Sequence, residues 1–439
     1  MILDTMVTNI SIMLFFLFLC LGMGMWIWSA LYGVAIFSLM FLGSGNMHGI
    51  LGGMLFNSIN SYPLVAIPLF IVMGELLIKS GSSTFIFRGV KKIFSVFPGG
   101  MLHSNIISCS IFAACSGSST ATTLAIGEVS YPELIKAGYD RKIVLGSIAA
   151  GGSLGILIPP SIIMIIYGSL TCTSIGKLFV GGVVPGIILA GSFLVWIGIS
   201  GTIHPGMVPE RSEFNKQYLK NVFFALKDLW PVILLVGFVM VSIYGGYATP
   251  TEAAAVGAVF SLLVVAFVYR RLTWKVVVES LRRTMFLTCM MMICIIGARA
   301  LGMALSMLEV PQFLSNYVSS LEVNRYIVWA ALILIYMILG CLIDGIDLML
   351  VTTPVFYPIV VNVLGFDPIW YGVVLVIILE ISLLTPPVGF NLYITHGVGG
   401  GKRLQDTILG VLPFLILMLV VIALLSAFPE LVTYLPSRM

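Results

Sequence analysis

Two apolar stretches of this chain are each interrupted by a small or polar turn, and each interruption is followed at the same distance by a double proline. Gly117-Ser118-Ser119-Thr120 lies 42 residues ahead of Pro159-Pro160, and Asp344-Gly345 lies 42 residues ahead of Pro386-Pro387. Between them, Gly138-Tyr139-Asp140 in the first copy matches Gly365-Phe366-Asp367 in the second. All these matches share one offset of 227 residues. Isolated identities are common by chance in hydrophobic sequence. A turn motif and a Pro-Pro break that keep one offset point to an internal duplication.

Of the 439 residues, 59% are hydrophobic and 9% charged, which excludes a soluble globular domain. Apolar runs of spanning length recur along the whole chain. The sequence therefore predicts an all-α polytopic membrane protein. Asp4 stands where a cleavable signal needs basic residues, and the apolar run continues too far for one. The small positive balance carries no implication of nucleic acid, since Lys and Arg in such a chain mainly set orientation. Seven cysteines, at positions 20, 109, 115, 172, 289, 294 and 341, lie in apolar segments without CxxC spacing and read as small buried hydrophobes.

In chain order, residues 1–61 read as N-terminal scaffold helices, with an interface at Trp26-Ile27-Trp28 and a small, polar turn from Gly43 to Ser61. Residues 62–201 form the first repeat. Its stretch from about 101 to 132 is apolar at both ends but carries Ser116 to Thr123 in its middle. Backbone at membrane depth leaves the helix only where protein or a cavity receives its polar groups. A re-entrant helical hairpin with this cluster at its tip satisfies that rule. Residues 202–283 read as a linker, two scaffold spans and a basic turn at Arg270 to Arg283. Residues 284–439 form the second repeat, with its hairpin at about 326–360 and a span broken at Pro386-Pro387.

Charge placement orients the copies. Lys91 and Lys92 precede the first hairpin and Lys136, Arg141 and Lys142 follow it, whereas no Lys or Arg lies between Arg325 and Lys402. The positive-inside rule then brings the first hairpin in from the cytoplasm and the second from the opposite face. Repeats of opposite orientation with broken helices are the architecture of secondary transporters, whose sites lie where the breaks meet.

Interrupted helices expose N–H groups suited to a carboxylate and carbonyls suited to sodium, and small residues let backbone approach an ion. Ser116 to Thr123 is the leading candidate for half of such a site; a small-residue packing seam is the alternative. Asp344, placed like Gly117, is favoured over Asp347 as linked to ion or solute, the alternative being a carboxylate that caps a broken helix. Glu380, a little over one turn before the second break, can equally face protein. Arg299 is the lone cation of a long apolar span: it either attracts an anionic solute or snorkels from a helix end. No HExxH or Walker A motif is present, so neither a zinc protease nor ATP hydrolysis fits. Ser116 with His103 makes a poor intramembrane protease, since Ala114-Cys115-Ser116-Gly117 lacks the first glycine of GxSG.

Several segments are familiar: Gly74-Glu75-Leu76-Leu77, Ser116-Gly117-Ser118-Ser119, the run from Ala149 through Gly151-Gly152 to Pro159-Pro160-Ser161, and Leu384-Thr385-Pro386-Pro387-Val388-Gly389. Over residues 10 to 435 or so the chain resembles the large membrane subunit of tripartite ATP-independent periplasmic (TRAP) transporters, DctM-like type. The resemblance implies an elevator that imports an organic acid, of the sialic acid or C4-dicarboxylate class, across a bacterial inner membrane. It implies sodium as coupling ion and no other cofactor. It also implies two partners, a separate small four-helix membrane subunit and a soluble periplasmic binding protein. Carried over, Ser119, Gly151 and Gly152 would form one sodium site, and Gly340, Asp344 and Thr385 the other. The solute carboxylate would lie between the tips, near Ser116, Ser118 and Thr120, with Asp344 and Arg299 as further candidates. The second hairpin, Asp344-Gly345-Ile346-Asp347, is more acidic than the family pattern, which puts its ion site in question. A stand-alone sodium/carboxylate symporter is the rival within transport, and a channel or membrane scaffold the rival outside it.

Overall fold

The computed structural model describes residues 2–42, 48–203, 216–387, 389–401 and 403–439. The first copy begins with α1 (Ile2–Gly22), α2 (Ile27–Phe41) and α3 (His48–Ile59), then α4 (Ala66–Ser80) and α5 (Ser82–Phe94). The first hairpin is α6 (Met101–Ser116) and α7 (Ser119–Lys136); α8 (Arg141–Ser153) and α9 (Ile162–Thr171) flank the first break, and α10 (Ile175–Ile203) closes the copy. The second copy holds α11 (Lys216–Tyr244), α12 (Pro250–Leu263), α13 (Trp274–Met307) and α14 (Val310–Ser320). Its hairpin is α15 (Arg325–Gly340) and α16 (Gly345–Tyr357), followed by α17 (Pro368–Leu384), α18 (Phe390–Val398) and α19 (Leu404–Ala427). Seven helical stretches are long and apolar enough to cross a membrane, and no strand occurs among the described residues.

The shared motifs have structural causes. Gly138 and Gly365 adopt positive φ (88° and 71°), a conformation that costs glycine least. Two residues on, the Asp140 carboxylate accepts from the N–H groups of Lys142 and Ile143 to cap α8, and Asp367 caps α17 through Ile369 and Trp370. Both Pro-Pro bonds, 159–160 and 386–387, are cis. The duplication thus extends to caps and turns.

The copies differ where proline does. In the first, Pro63 opens a 3₁₀ turn (Tyr62–Val65) that separates α3 from α4. At the matching offset the second copy has Met290, and α13 runs unbroken for 34 residues. The basic turn expected at Arg270 to Arg283 is accordingly short: Thr273 caps α13 by accepting from the Val276 N–H, and Lys275 to Arg283 form its first turns. The boundary expected at 284 therefore falls inside a helix. The turn read from Gly43 to Ser61 is largely α3, with residues 43–47 outside the described residues. The linker read at 202–227 lies outside them from 204 to 215, and from Lys216 it is already α11.

Counting the hairpins as returns, five crossings separate the start of α4 from that of α13: α4 itself, the α8–α9 pair, α10, α11 and α12. An odd number inverts the second copy. The copies also interlock by exchange: α2 packs on α13 as α12 packs on α4, and α8 packs on α19 as α17 packs on α10. At the centre lies α17, in which every residue from Trp370 to Leu384 is buried. A helix this apolar and shielded on every side belongs inside a bundle.

Candidate functional site

The first hairpin turns on Gly117, held at φ 58°, a left-handed conformation that closes α6. Ser118 then caps α7, its hydroxyl accepting from the Ala121 N–H at 3.4 Å. The remaining hydroxyls knit the tip together. Ser116 Oγ meets Thr122 Oγ1 at 2.7 Å, Thr122 donates to the Ser118 carbonyl, and Ser118 Oγ lies 3.1 Å from Thr120 Oγ1. The polar cluster is therefore a cradle of oxygens at a helix N-terminus.

This tip sits on the first break backbone to backbone. A Cβ on Gly155 would come within 2.6 Å of the Ser118 carbonyl oxygen and the Ser119 Cα, and one on Gly117 within 2.9 Å of the Pro160 carbonyl oxygen. The Ile162 N–H donates to the Gly117 carbonyl at 3.5 Å. From α4, Gly74 packs on the Ser116 backbone. Only glycine permits such approach.

The second hairpin is built otherwise. Asp344 caps α16, accepting from the Ile346 N–H at 3.4 Å, and Gly345 rests on the Leu379 and Leu383 side chains. Asp347 is buried, with the Cys294 thiol of α13 and the Asp344 carboxyl as its polar neighbours. The break that follows is the more open of the two. Pro386 and Pro387 are exposed and Tyr393 is half exposed, whereas Pro159, Pro160 and Ser161 are buried.

Glu380 joins the two halves. It is 1% exposed, and the side chains that bear on its carboxyl are Ser119 of the first hairpin and Asp344 of the second. Neither of its oxygens lies at hydrogen-bonding distance from a partner among the described residues. Glu380 does face protein, one of the two possibilities left open by its sequence position, and one residue of each hairpin is among what it faces. An acidic residue in a helix with no other charge was the signal for it.

Of the residues singled out from sequence, Ser116, Ser118 and Thr120 are joined within the first hairpin tip, and Ser119 and Asp344, one from each hairpin, both bear on Glu380. Gly151 presses on Cys109 and Gly152 on Thr123, the last residue of the tip cluster, and their carbonyls accept from Leu154 and Gly155. Gly155, the third of the same motif, meets the backbone of the tip at Ser118 and Ser119. Gly340 packs against Ser382, and the Thr385 hydroxyl donates to the Ile381 carbonyl at 2.6 Å. Arg299 engages α9. Its guanidinium donates to the Ser169 carbonyl at 2.7 Å, in the last turn of α9, where a cation complements the helix dipole.

Comparison with known proteins gives this architecture a context. A family model described as "Tripartite ATP-independent periplasmic transporter, DctM component" matches residues 12–431. The C4-dicarboxylate TRAP transporter large permease protein DctM of Pseudomonas aeruginosa is 34% identical, over 87% of this chain and 88% of its own. The sialic acid TRAP transporter large permease protein SiaM of Vibrio cholerae is 31% identical, over 86% and 87%. Among solved structures, the YdaH transporter of Alcanivorax borkumensis superposes with a TM-score of 0.59 at 12% identity, covering 87% of this chain and 88% of that one, which is a likeness of fold.

Proposed function

This chain belongs to the DctM-component family of tripartite ATP-independent periplasmic transporters, and from that premise we propose that it is the permease subunit for sodium-coupled import of an organic acid. The observation that carries the reading is the buried Glu380 carboxyl, on which one residue from each hairpin of two inverted copies bears, beside broken helices. Relatives named for C4-dicarboxylates and sialic acid support a carboxylate as solute. Its anionic end would meet the free N-terminus of α7 at Ser118 and Thr120. Sodium, a hard cation, prefers oxygen ligands, and the hydroxyl cradle beside the unpartnered Glu380 carboxylate offers them. Arg299, engaged with α9, would act by holding that helix rather than by binding solute.

An elevator motion fits the packing. The hairpins with α8, α9, α17 and α18 would move as one body, tied across the copies by Tyr131 and Arg141, which both donate to the Gly399 carbonyl. The amphipathic α5 and α14 would act as arms to a scaffold that includes α2, α4, α12 and α13. The family's tripartite character supports a small membrane subunit and a periplasmic binding protein as partners, in a bacterial inner membrane. The test is uptake of labelled organic acids into proteoliposomes holding this chain and its small subunit, with and without an inward sodium gradient and binding protein. Uptake that needs both is expected. Uptake with sodium alone points to a self-sufficient symporter, and gradient-independent flux removes the proposal.

A further inference from the structure

Away from the hairpin junction, at the end of α4 and the start of α13, a surface cavity of about 310 Å³ is lined by Lys79, Glu279, Arg282, Arg283 and Phe286. We propose that this cavity binds the headgroup of an anionic phospholipid, with the acyl chains laid along α13.

Charge is the first argument. Lys79 pairs with Glu279 at 3.4 Å, and Lys275 shares the same carboxylate at 3.9 Å. Arg283 reaches Glu75 only at 4.0 Å while 57% of its side chain stays exposed. Arg282 has no ion pair among the described residues. Close by, Arg271 donates to the Ser80 carbonyl that ends α4. These cations outnumber the carboxylates Glu75 and Glu279, so the cavity is short of negative charge. Planar guanidinium groups match phosphate oxygens two at a time.

Depth is the second. Trp274, 81% exposed at the first turn of α13, marks the interface level, where exposed aromatics collect. One to three turns further in come Glu279, Arg282 and Arg283; immediately beyond them Met285 and Phe286 are 65% and 60% exposed. Along one helix the surface passes from interface to cations to bare hydrocarbon. A soluble organic anion has no use for the last part, and a phospholipid fits both. Lys79 ends the helix that leads into the basic base of the first hairpin, so this is the cytoplasmic side under the positive-inside rule, where anionic lipid headgroups attract basic clusters.

The experiment is thermal unfolding of the detergent-purified full chain, titrated with phosphatidylglycerol and, in parallel, with phosphatidylcholine of the same chains, with inorganic phosphate and with succinate. Phosphatidylglycerol is expected to raise the midpoint and the other three to leave it unchanged. Arg282→Gln should weaken the apparent affinity about fivefold, and Arg282→Gln with Arg283→Gln about 25-fold. Lys136→Gln, exposed at the end of α7 and not among the residues of this cavity, should retain wild-type affinity. Should the double variant fail to fold, Arg282→Gln alone decides, because its side chain is exposed and unpaired. Stabilisation by phosphatidylcholine to the same extent, or by phosphate or succinate, overturns the proposal, as does undiminished affinity in Arg282→Gln. These readouts are independent of transport.

Discussion

Gly146 of α8 and Gly410 of α19 meet backbone to backbone. A Cβ on Gly146 would overlap the Gly410 carbonyl, and one on Gly410 would overlap the Lys142 carbonyl. In a bilayer no hydrophobic force drives helices together, so close packing at small residues supplies much of their attraction. Backbone at such a crossing cannot yield as a flexible side chain would. Gly146→Ala and Gly410→Ala are each expected to cost about 1–3 kcal/mol by overpacking. The midpoint of thermal unfolding, followed by size-exclusion profile after heating, checks this; an unchanged midpoint means that the crossing is looser than described.

Asp344 both caps α16 and faces Glu380, and two substitutions separate the roles. Asn caps about as well as Asp, whereas Ala costs about 1 kcal/mol at such a position. Asp344→Asn should therefore keep the wild-type unfolding midpoint and Asp344→Ala should lower it. If the charge belongs to the ion or solute site, both variants should lose sodium-dependent uptake at least about tenfold, the equivalent of about 1.4 kcal/mol. Normal uptake by Asp344→Asn would leave capping as the only role.

The hairpins, the Pro-Pro breaks and the inversion were legible in the sequence because each leaves a mark that apolar sequence rarely imitates: Gly117 and Gly138 at turns, Asp140 and Asp367 at caps, lysines at one mouth alone. What was not legible came from packing between distant segments. Gly151, Gly152 and Gly155 look alike in sequence, and only the approach of the Ser118–Ser119 backbone distinguishes Gly155. Arg299 reads the same whether it attracts a solute or caps α9, since its acceptor, the Ser169 carbonyl, lies 130 residues away. The continuity of α13 was hidden by its charges, which suggested a turn; the absence of a proline at position 290 was the better guide.

Glu380 offers a separation of stability from function. A buried ionisable group with no close hydrogen bond is poor for stability, and an apolar residue of similar volume there is often neutral or stabilising. Glu380→Met should match or exceed the wild-type unfolding midpoint. If the carboxylate serves transport, the same variant should lose uptake, the usual trade at functional sites. A variant that unfolds early and still transports would reverse both expectations and make Glu380 a structural residue.

Tyr131 and Arg141 bind one acceptor, the Gly399 carbonyl, at 3.0 and 3.1 Å. A carbonyl oxygen has two lone pairs, so removing either donor leaves it satisfied by the other. Only loss of both strands it, and a buried acceptor without a partner costs about 1–3 kcal/mol. Tyr131→Phe should thus cost about 1 kcal/mol and Arg141→Ala somewhat more, since a charged donor is the stronger and its contact to Asp406 at 3.8 Å goes too. The double variant should cost more than the singles added together. A double-mutant cycle on the unfolding midpoint measures that excess. An additive result would mean that water replaces the missing donor at the Gly399 carbonyl.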